Sequence, residues 1–181
     1  GSTSDHSHLI KEVVDNAIDE LLNGHANTIS LEFDNNGKVI VMDNGRGFPV
    51  QDVKLPDGTI KNSVVAAVCE IFSGGKFDDT TYNISRGLNG IGLSAVNALS
   101  NYLSFVIKDR KDDKKYHFYE FKNGEHINTE VKKFNKTLGY STRVEFHASD
   151  KYFNSLTIRP KPIIDWLQLL CAQNKNANVY V

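Results

Sequence analysis

The sequence predicts an α+β two-layer sandwich, with helices on one face of a mixed, mostly antiparallel sheet. Three observations predict it. The N-terminal segment repeats apolar residues at the helical period. The second half alternates apolar and polar residues in short runs separated by turn residues. Two prolines then open a closing helix rich in leucine and isoleucine.

In chain order, Leu9, Ile10, Val13, Val14, Ala17, Ile18, Leu21 and Leu22 make one broad apolar helical face. Ser4, Asp5 or Ser7 can cap its start, and Gly24 suits its end. Ile29, Leu31 and Phe33 alternate as a half-buried strand does. Asn35-Asn36-Gly37 turns the chain into a second strand over residues 38–42. Residues 43–57, rich in glycine, proline and polar side chains, read as loop. Ser63 is placed to cap a helix over residues 64–72. Residues 73–92 are glycine-rich, with few core side chains. A connection of that length reads as a lid or binding loop. Residues 91–99 read as helix, and strands follow at 103–107, 116–121, 127–134 and 142–146. Lys111-Asp112-Asp113 and Asn123-Gly124 supply turns between them. Pro160 and Pro162 open the last helix, and Val179-Tyr180-Val181 is a strand-like end.

The 181 residues, 40% of them hydrophobic and 10% aromatic, suffice for one domain with a real core and exclude wholesale disorder. Lysine and arginine number 21 against 22 acidic residues, so no dedicated nucleic-acid-coating surface is expected. No apolar run reaches the ~20 residues of a membrane helix, and no secretory leader is visible. A cytoplasmic protein without membrane contact is expected. Cys69 and Cys171 lie in apolar segments without metal-ligand spacing and read as buried free thiols. The Gly1-Ser2 start reads as a cloning scar, with 1–4 a disordered start and 5–181 the domain, excised from something longer.

Glu12, Asn16 and Asp19 form one polar stripe on the first helix, where plain solvation is the simplest reading. Asparagine is a mediocre helix former, however, and a carboxylate beside an amide oxygen can activate water and hold a hard cation such as magnesium. Asp43-Asn44-Gly45-Arg46-Gly47-Phe48-Pro49 follows a strand directly. Its glycines allow close backbone approach to a ligand, and Asp43 can accept from an exocyclic amine. The alternative is a turn held by an Arg46 salt bridge. Arg86-Gly87-Leu88-Asn89-Gly90-Ile91-Gly92 opens a helix and exposes unpaired N–H groups, an anion site, near which Lys76 can add charge. Its G-x-x-G-x-G spacing is neither the dinucleotide fingerprint nor the Walker loop. Thr142 heads what by itself is an ordinary amphipathic strand.

In this order the elements resemble the Bergerat-fold (GHKL) ATPase domain of bacterial type IIA DNA topoisomerases, the family of the gyrase and topoisomerase IV B subunits. The resemblance rests on Glu12-Val13-Val14-Asp15-Asn16-Ala17-Ile18-Asp19-Glu20, the Asp43 to Pro49 motif and Gly74-Gly75-Lys76-Phe77-Asp78-Asp79. It rests also on the run from Gly87 that ends Val96-Asn97-Ala98-Leu99-Ser100. MutL, the ninety-kilodalton heat-shock chaperone and sensor histidine kinases share the first motifs loosely, so a MutL-like or chaperone-like nucleotide switch is the alternative. A purely structural domain is a third reading. The Gly-Gly-Lys-Phe-Asp run favours topoisomerase, and the general impression leans to topoisomerase IV over gyrase.

The resemblance implies an ATP-binding and hydrolysing module using magnesium. Glu12 would be the general base and Asn16 the magnesium ligand. Asp43 would bind the adenine amine, with Thr142 assisting. Glu20 and Arg46 would pair across the pocket, with Gly47, Phe48 and Pro49 in its wall. Asp19, Lys76, Gly87, Gly90, Ile91 and Gly92 complete the implied ATP contacts, the last four in a lid over the phosphates. In the full enzyme the implied partners are DNA, the cleavage-reunion A subunit and a second copy that closes a gate on ATP binding. Adenine-site inhibitors would share the pocket. Arg86, Asn89, Phe48 and Ser141 depart from the usual family residues, and residues 50–62 lack the usual histidine-proline element. The family's N-terminal arm and transducer domain are expected outside this chain.

Overall fold

The computed structural model describes residues 5–55, 57–69 and 92–181. Helix α1 (Ser7–Leu22) buries the predicted face from Leu9 to Leu21, while Leu22 is exposed. Its entry differs from the expected cap. His6 occupies the N-cap position without a side-chain cap bond, and Asp5 accepts the Ser7 N–H at 3.0 Å instead. At the other end Gly24, at φ +74°, takes the left-handed conformation that stops the helix.

Strands β1 (Thr28–Phe33) and β2 (Lys38–Asp43) form the predicted hairpin. Asp34 holds the turn by accepting the N–H groups of Asn36 and Lys38. Within residues 43–62, where no strand is expected, the chain makes a small hairpin of β3 (Asp52–Lys54) and β4 (Ile60–Asn62). Its strands are three residues long and only Val53 is buried in them, so no alternation exists to be read. Helix α2 (Ser63–Cys69) begins beside it. The side chain that accepts its first free N–H, that of Val64, belongs to Asn62, and Ser63 turns elsewhere. The predicted continuation to residue 72 lies outside the described residues.

Helix α3 (Gly92–Ala98) leads into β5 (Ser100–Lys108), β6 (Lys115–Lys122), β7 (Glu125–Lys133) and β8 (Thr142–Ala148). The Asn123-Gly124 turn joins β6 to β7 with both residues at positive φ, as a two-residue hairpin requires. Helix α4 (Pro160–Gln173) starts at its prolines, and β9 (Asn178–Tyr180) closes the sheet. The strand order is β7-β6-β5-β8-β2-β1-β9, antiparallel except for β1 with β9. Alternate residues of the central strands, among them Ile29, Val41, Phe105, Phe121, Val144 and Phe146, share one core with α1 to α4. Each such aromatic or aliphatic side chain contributes roughly 1.5–3 kcal/mol on burial. This is the predicted sandwich. Cys69 and Cys171 are free, as expected, but half-buried where full burial is predicted. Among the described residues no helix is long and apolar enough to cross a membrane.

Candidate functional site

Helix α1 turns one line of polar side chains along the sheet-side loops: Glu12, Asn16 and Glu20, each four residues apart. Eight residues of helix span about 12 Å, so Glu12 and Glu20 mark two ends of an elongated site. At one end the Glu12 carboxylate lies against Gly92, the first residue of α3, and a methyl group at Gly92 would collide with Glu12 Oε2. In the middle, Asn16 Nδ2 donates to the Glu12 carbonyl at 3.0 Å. Its Oδ1 is buried and has no hydrogen-bond partner among the described residues. Asp19 is exposed on the same helix.

At the other end Glu20 clamps the loop after β2. Its Oε2 accepts the Arg46 backbone N–H at 2.9 Å, and its carboxylate takes the Arg46 guanidinium in a fork at 3.2 and 2.7 Å. Burial acts to raise the Glu20 carboxyl, but these bonds hold it below its usual range. Between Glu20 and Asp43 there is no room for a side chain. A Cβ on Gly45 would stand 2.7 Å from Glu20 Oε2 and 2.9 Å from Asp43 Oδ1.

Asp43 is the last residue of β2 and only 7% exposed. Burial pushes its carboxyl up to about 7, and the nearby Glu20 adds to the rise, against hydrogen bonds from the Gly45 N–H and the Thr142 side chain. Thr142 faces Asp43 directly in the β2–β8 register, a placement no local signal around Thr142 could show. Farther along the loop Gly47 sits at φ +79° with the Lys108 carbonyl 3.0 Å from where a Cβ would be. Phe48 is half-buried against the Phe105 ring, and the Pro49 carbonyl accepts the Ser63 hydroxyl at 2.7 Å. The structure therefore joins Glu12, Asn16, Glu20, Asp43, Arg46, Gly47, Phe48, Pro49, Gly92 and Thr142 in one region. Lys76, Gly87, Gly90 and Ile91 lie outside the described residues.

The profile of the family described as histidine kinase-, DNA gyrase B- and HSP90-like ATPase matches residues 1–146. The chain belongs to this ATPase family. It is 41% identical over 151 residues to the DNA gyrase B subunit of Spiroplasma citri, covering 83% of this chain and 23% of that protein. To the DNA topoisomerase 4 B subunit of Staphylococcus aureus (strain MW2) it is 39% identical over 150 residues, covering 83% and 22%. The chain thus spans about a quarter of the length of these curated relatives. A solved structure, the topoisomerase IV ATP-binding domain of Francisella tularensis in complex with a small molecule inhibitor, superposes with a TM-score of 0.69. At 24% identity, over 99% of this chain and 82% of that one, this likeness establishes the Bergerat fold.

Two residues of the candidate site escape sequence reading. Arg110 reaches from the β5–β6 turn to the Gly47 carbonyl, with Nη2 at 2.7 Å and Nε at 3.3 Å, and stands near Arg46. It stands just before the Lys111-Asp112-Asp113 turn, where no local feature marks it, and the pairing of β5 with β8 carries it to the loop. Ser63, almost wholly buried, donates to Pro49 and accepts the Gln51 N–H, tying α2 to the pocket wall. Serine ahead of an apolar helix reads as a cap, and that reading hides its role.

Proposed function

We propose that this chain is the ATP-binding and hydrolysing module of a type IIA DNA topoisomerase B subunit. One observation carries the reading. The α1 line from Glu12 through Asn16 to Glu20 spans the length of a nucleoside triphosphate, with a base-reading carboxylate, Asp43, at the Glu20 end.

In this reading Asp43 accepts a hydrogen bond from the adenine amine, and the Thr142 hydroxyl supports it. The Glu20–Arg46 pair, Gly47, Phe48 and Pro49 wall the base. Glu12, at the far end, takes the proton of the water that attacks the γ-phosphate. It lies against Gly92 at the start of α3. There the glycine-rich run containing Gly87, Gly90 and Ile91 would bring N–H groups to the phosphates, with Lys76 beside them. Asn16 Oδ1, without a partner among the described residues, has the chemistry a magnesium ion takes, a buried neutral oxygen one helical turn along from Glu12. Bound there, magnesium would neutralise phosphate charge. Asp19 adds negative charge on the same side. In the complete enzyme DNA and the A subunit are the partners, and ATP-dependent pairing of two such modules closes a gate during strand passage. Adenine-site inhibitors fit the same pocket, and the compartment is the cytoplasm.

The test is calorimetric titration of the 181-residue chain with a non-hydrolysable ATP analogue and magnesium. Saturable binding, weakened both by Asp43→Asn and by removal of magnesium, is the expected result. No binding heat and no thermal shift at saturating analogue would overturn the proposal. Turnover by this chain alone is expected to be slow, with the protein monomeric in sedimentation.

A further inference from the structure

Asn44 lies beside Asp43 but has no part in the chemistry above. Its Oδ1 accepts two backbone N–H groups, from Asn27 and Thr28, each at 3.0 Å. Its Nδ2 donates to Asn27 Oδ1 at 2.8 Å, and its own N–H reaches the Thr28 carbonyl at 3.4 Å. Asn27 belongs to the connection between α1 and β1, so the carboxamide straps the end of β2 to that connection. Glu20 holds the same loop from α1 through Arg46. The two residues on either side of Gly45, directly after Asp43, are therefore both anchored, Asn44 to the α1–β1 connection and Arg46 to α1.

The strap is not needed to complete the core. Asn27 and Asn44 are both exposed, and water can satisfy every group they pair. An ordinary turn residue would serve a plain loop. A side chain that accepts twice and donates once is needed only to fix the loop's angle. A misplacement of Asp43 by a fraction of an ångström spoils a hydrogen bond to a base, because such bonds weaken steeply with distance and angle.

We propose that Asn44 is a positioning residue for base recognition, orienting Asp43 through its carboxamide pairing with Asn27. This rests on the ATP reading above. The carboxylate of Asp43 accepts from the amine of adenine and repels the carbonyl oxygen that guanine carries there. The strap therefore acts on the choice of base.

The experiment measures binding of non-hydrolysable ATP and GTP analogues to wild type, Asn44→Ala, Asn27→Ala, the double variant and Asn44→Asp. In Asn44→Ala, ATP-analogue affinity should fall about tenfold, the loss of one or two hydrogen bonds, with GTP-analogue affinity unchanged. Asn27→Ala should reproduce the loss, and the double variant should add nothing to it. Asn44→Asp keeps the acceptor but sets an oxygen in place of the Nδ2 that donates to Asn27 Oδ1, so it should lose the adenine preference as Asn44→Ala does. An unchanged preference in Asn44→Ala, or additive losses in the double variant, would overturn the proposal. So would equal losses for both nucleotides together with a lowered melting temperature, which mark a merely structural residue. A wild-type chain that binds both analogues equally, or neither, overturns the ATP reading and the role of Asn44 with it.

Discussion

Replacing Asp43 by asparagine separates what this carboxylate does for a ligand from what it does to the fold. In the folded chain burial raises it from 3.8 to about 7. A rise of about three pH units, at ~1.4 kcal/mol each, makes its ionisation in the folded state costly by ~4 kcal/mol. The direction follows from the raised value. The folded state prefers the protonated acid, so the stability tied to this group is complete below pH ~4 and is lost as pH rises through about 7. Most of the loss accumulates between those limits, and above about 7 it levels off. The asparagine of the variant cannot ionise, although its buried amide costs ~1–3 kcal/mol if unpaired. Urea unfolding of the wild type and Asp43→Asn across this range should show the variant gaining on the wild type by ~3 to 4 kcal/mol and then running parallel to it. Binding should move the other way. An adenine amine needs the carboxylate, so wild-type affinity for an ATP analogue should fall up to about tenfold for each pH unit below 7, while Asp43→Asn binds weakly at every pH. A stability difference independent of pH would refute the buried, raised carboxyl. A pH-independent affinity in the wild type would refute its contact with the base.

The other sites give sharper, smaller tests. In the complete subunit Glu12→Ala should lower ATP hydrolysis by about 10² or more while analogue binding survives, read by steady-state turnover and calorimetry. Gly92→Ala should have a similar kinetic effect without removing any catalytic group, because the new methyl displaces the Glu12 carboxylate; full activity would show that Glu12 is free to move. His6 is fully buried between the rings of Phe146 and Phe153, and neither ring nitrogen is hydrogen-bonded among the described residues. Burial lowers its pKa although Asp5 and Asp34 act against this, so stability tied to neutral His6 is present above pH ~6.5 and is lost on acidification. His6→Leu should therefore flatten the acid limb of the thermal unfolding profile below about pH 6.5.

Much of the fold is readable in advance because α1 and the long strands carry strong periodic signals. Leu9 to Leu21 recur at the helical period, and Ile29, Leu31 and Phe33 alternate, each enforced by a single buried face. Where burial is slight the signal fails. The β3–β4 hairpin buries one strand residue and disappears among loop residues. The site divides in the same way. Spacing aligns Glu12 and Asn16 with Asp19, whereas in the structure Asp19 is exposed and Glu20, named by the family resemblance alone, holds the Arg46 loop. Asp43 to Pro49 is a contiguous motif. Thr142 and Arg110 come from distant strands and turns, and nothing local marks them.

The helix with its polar line, the alternating strands and the motif that ends β2 are thus written in local sequence, since each depends on neighbours a few residues away. Packing brings the rest: Thr142 meets Asp43, Gly45 leaves space for two carboxylates and Gly92 seats Glu12. Packing also raises the pKa of Asp43, because desolvation depends on every element packed around a group. Periodicity is a property of a segment, whereas proximity and burial belong to the packed whole.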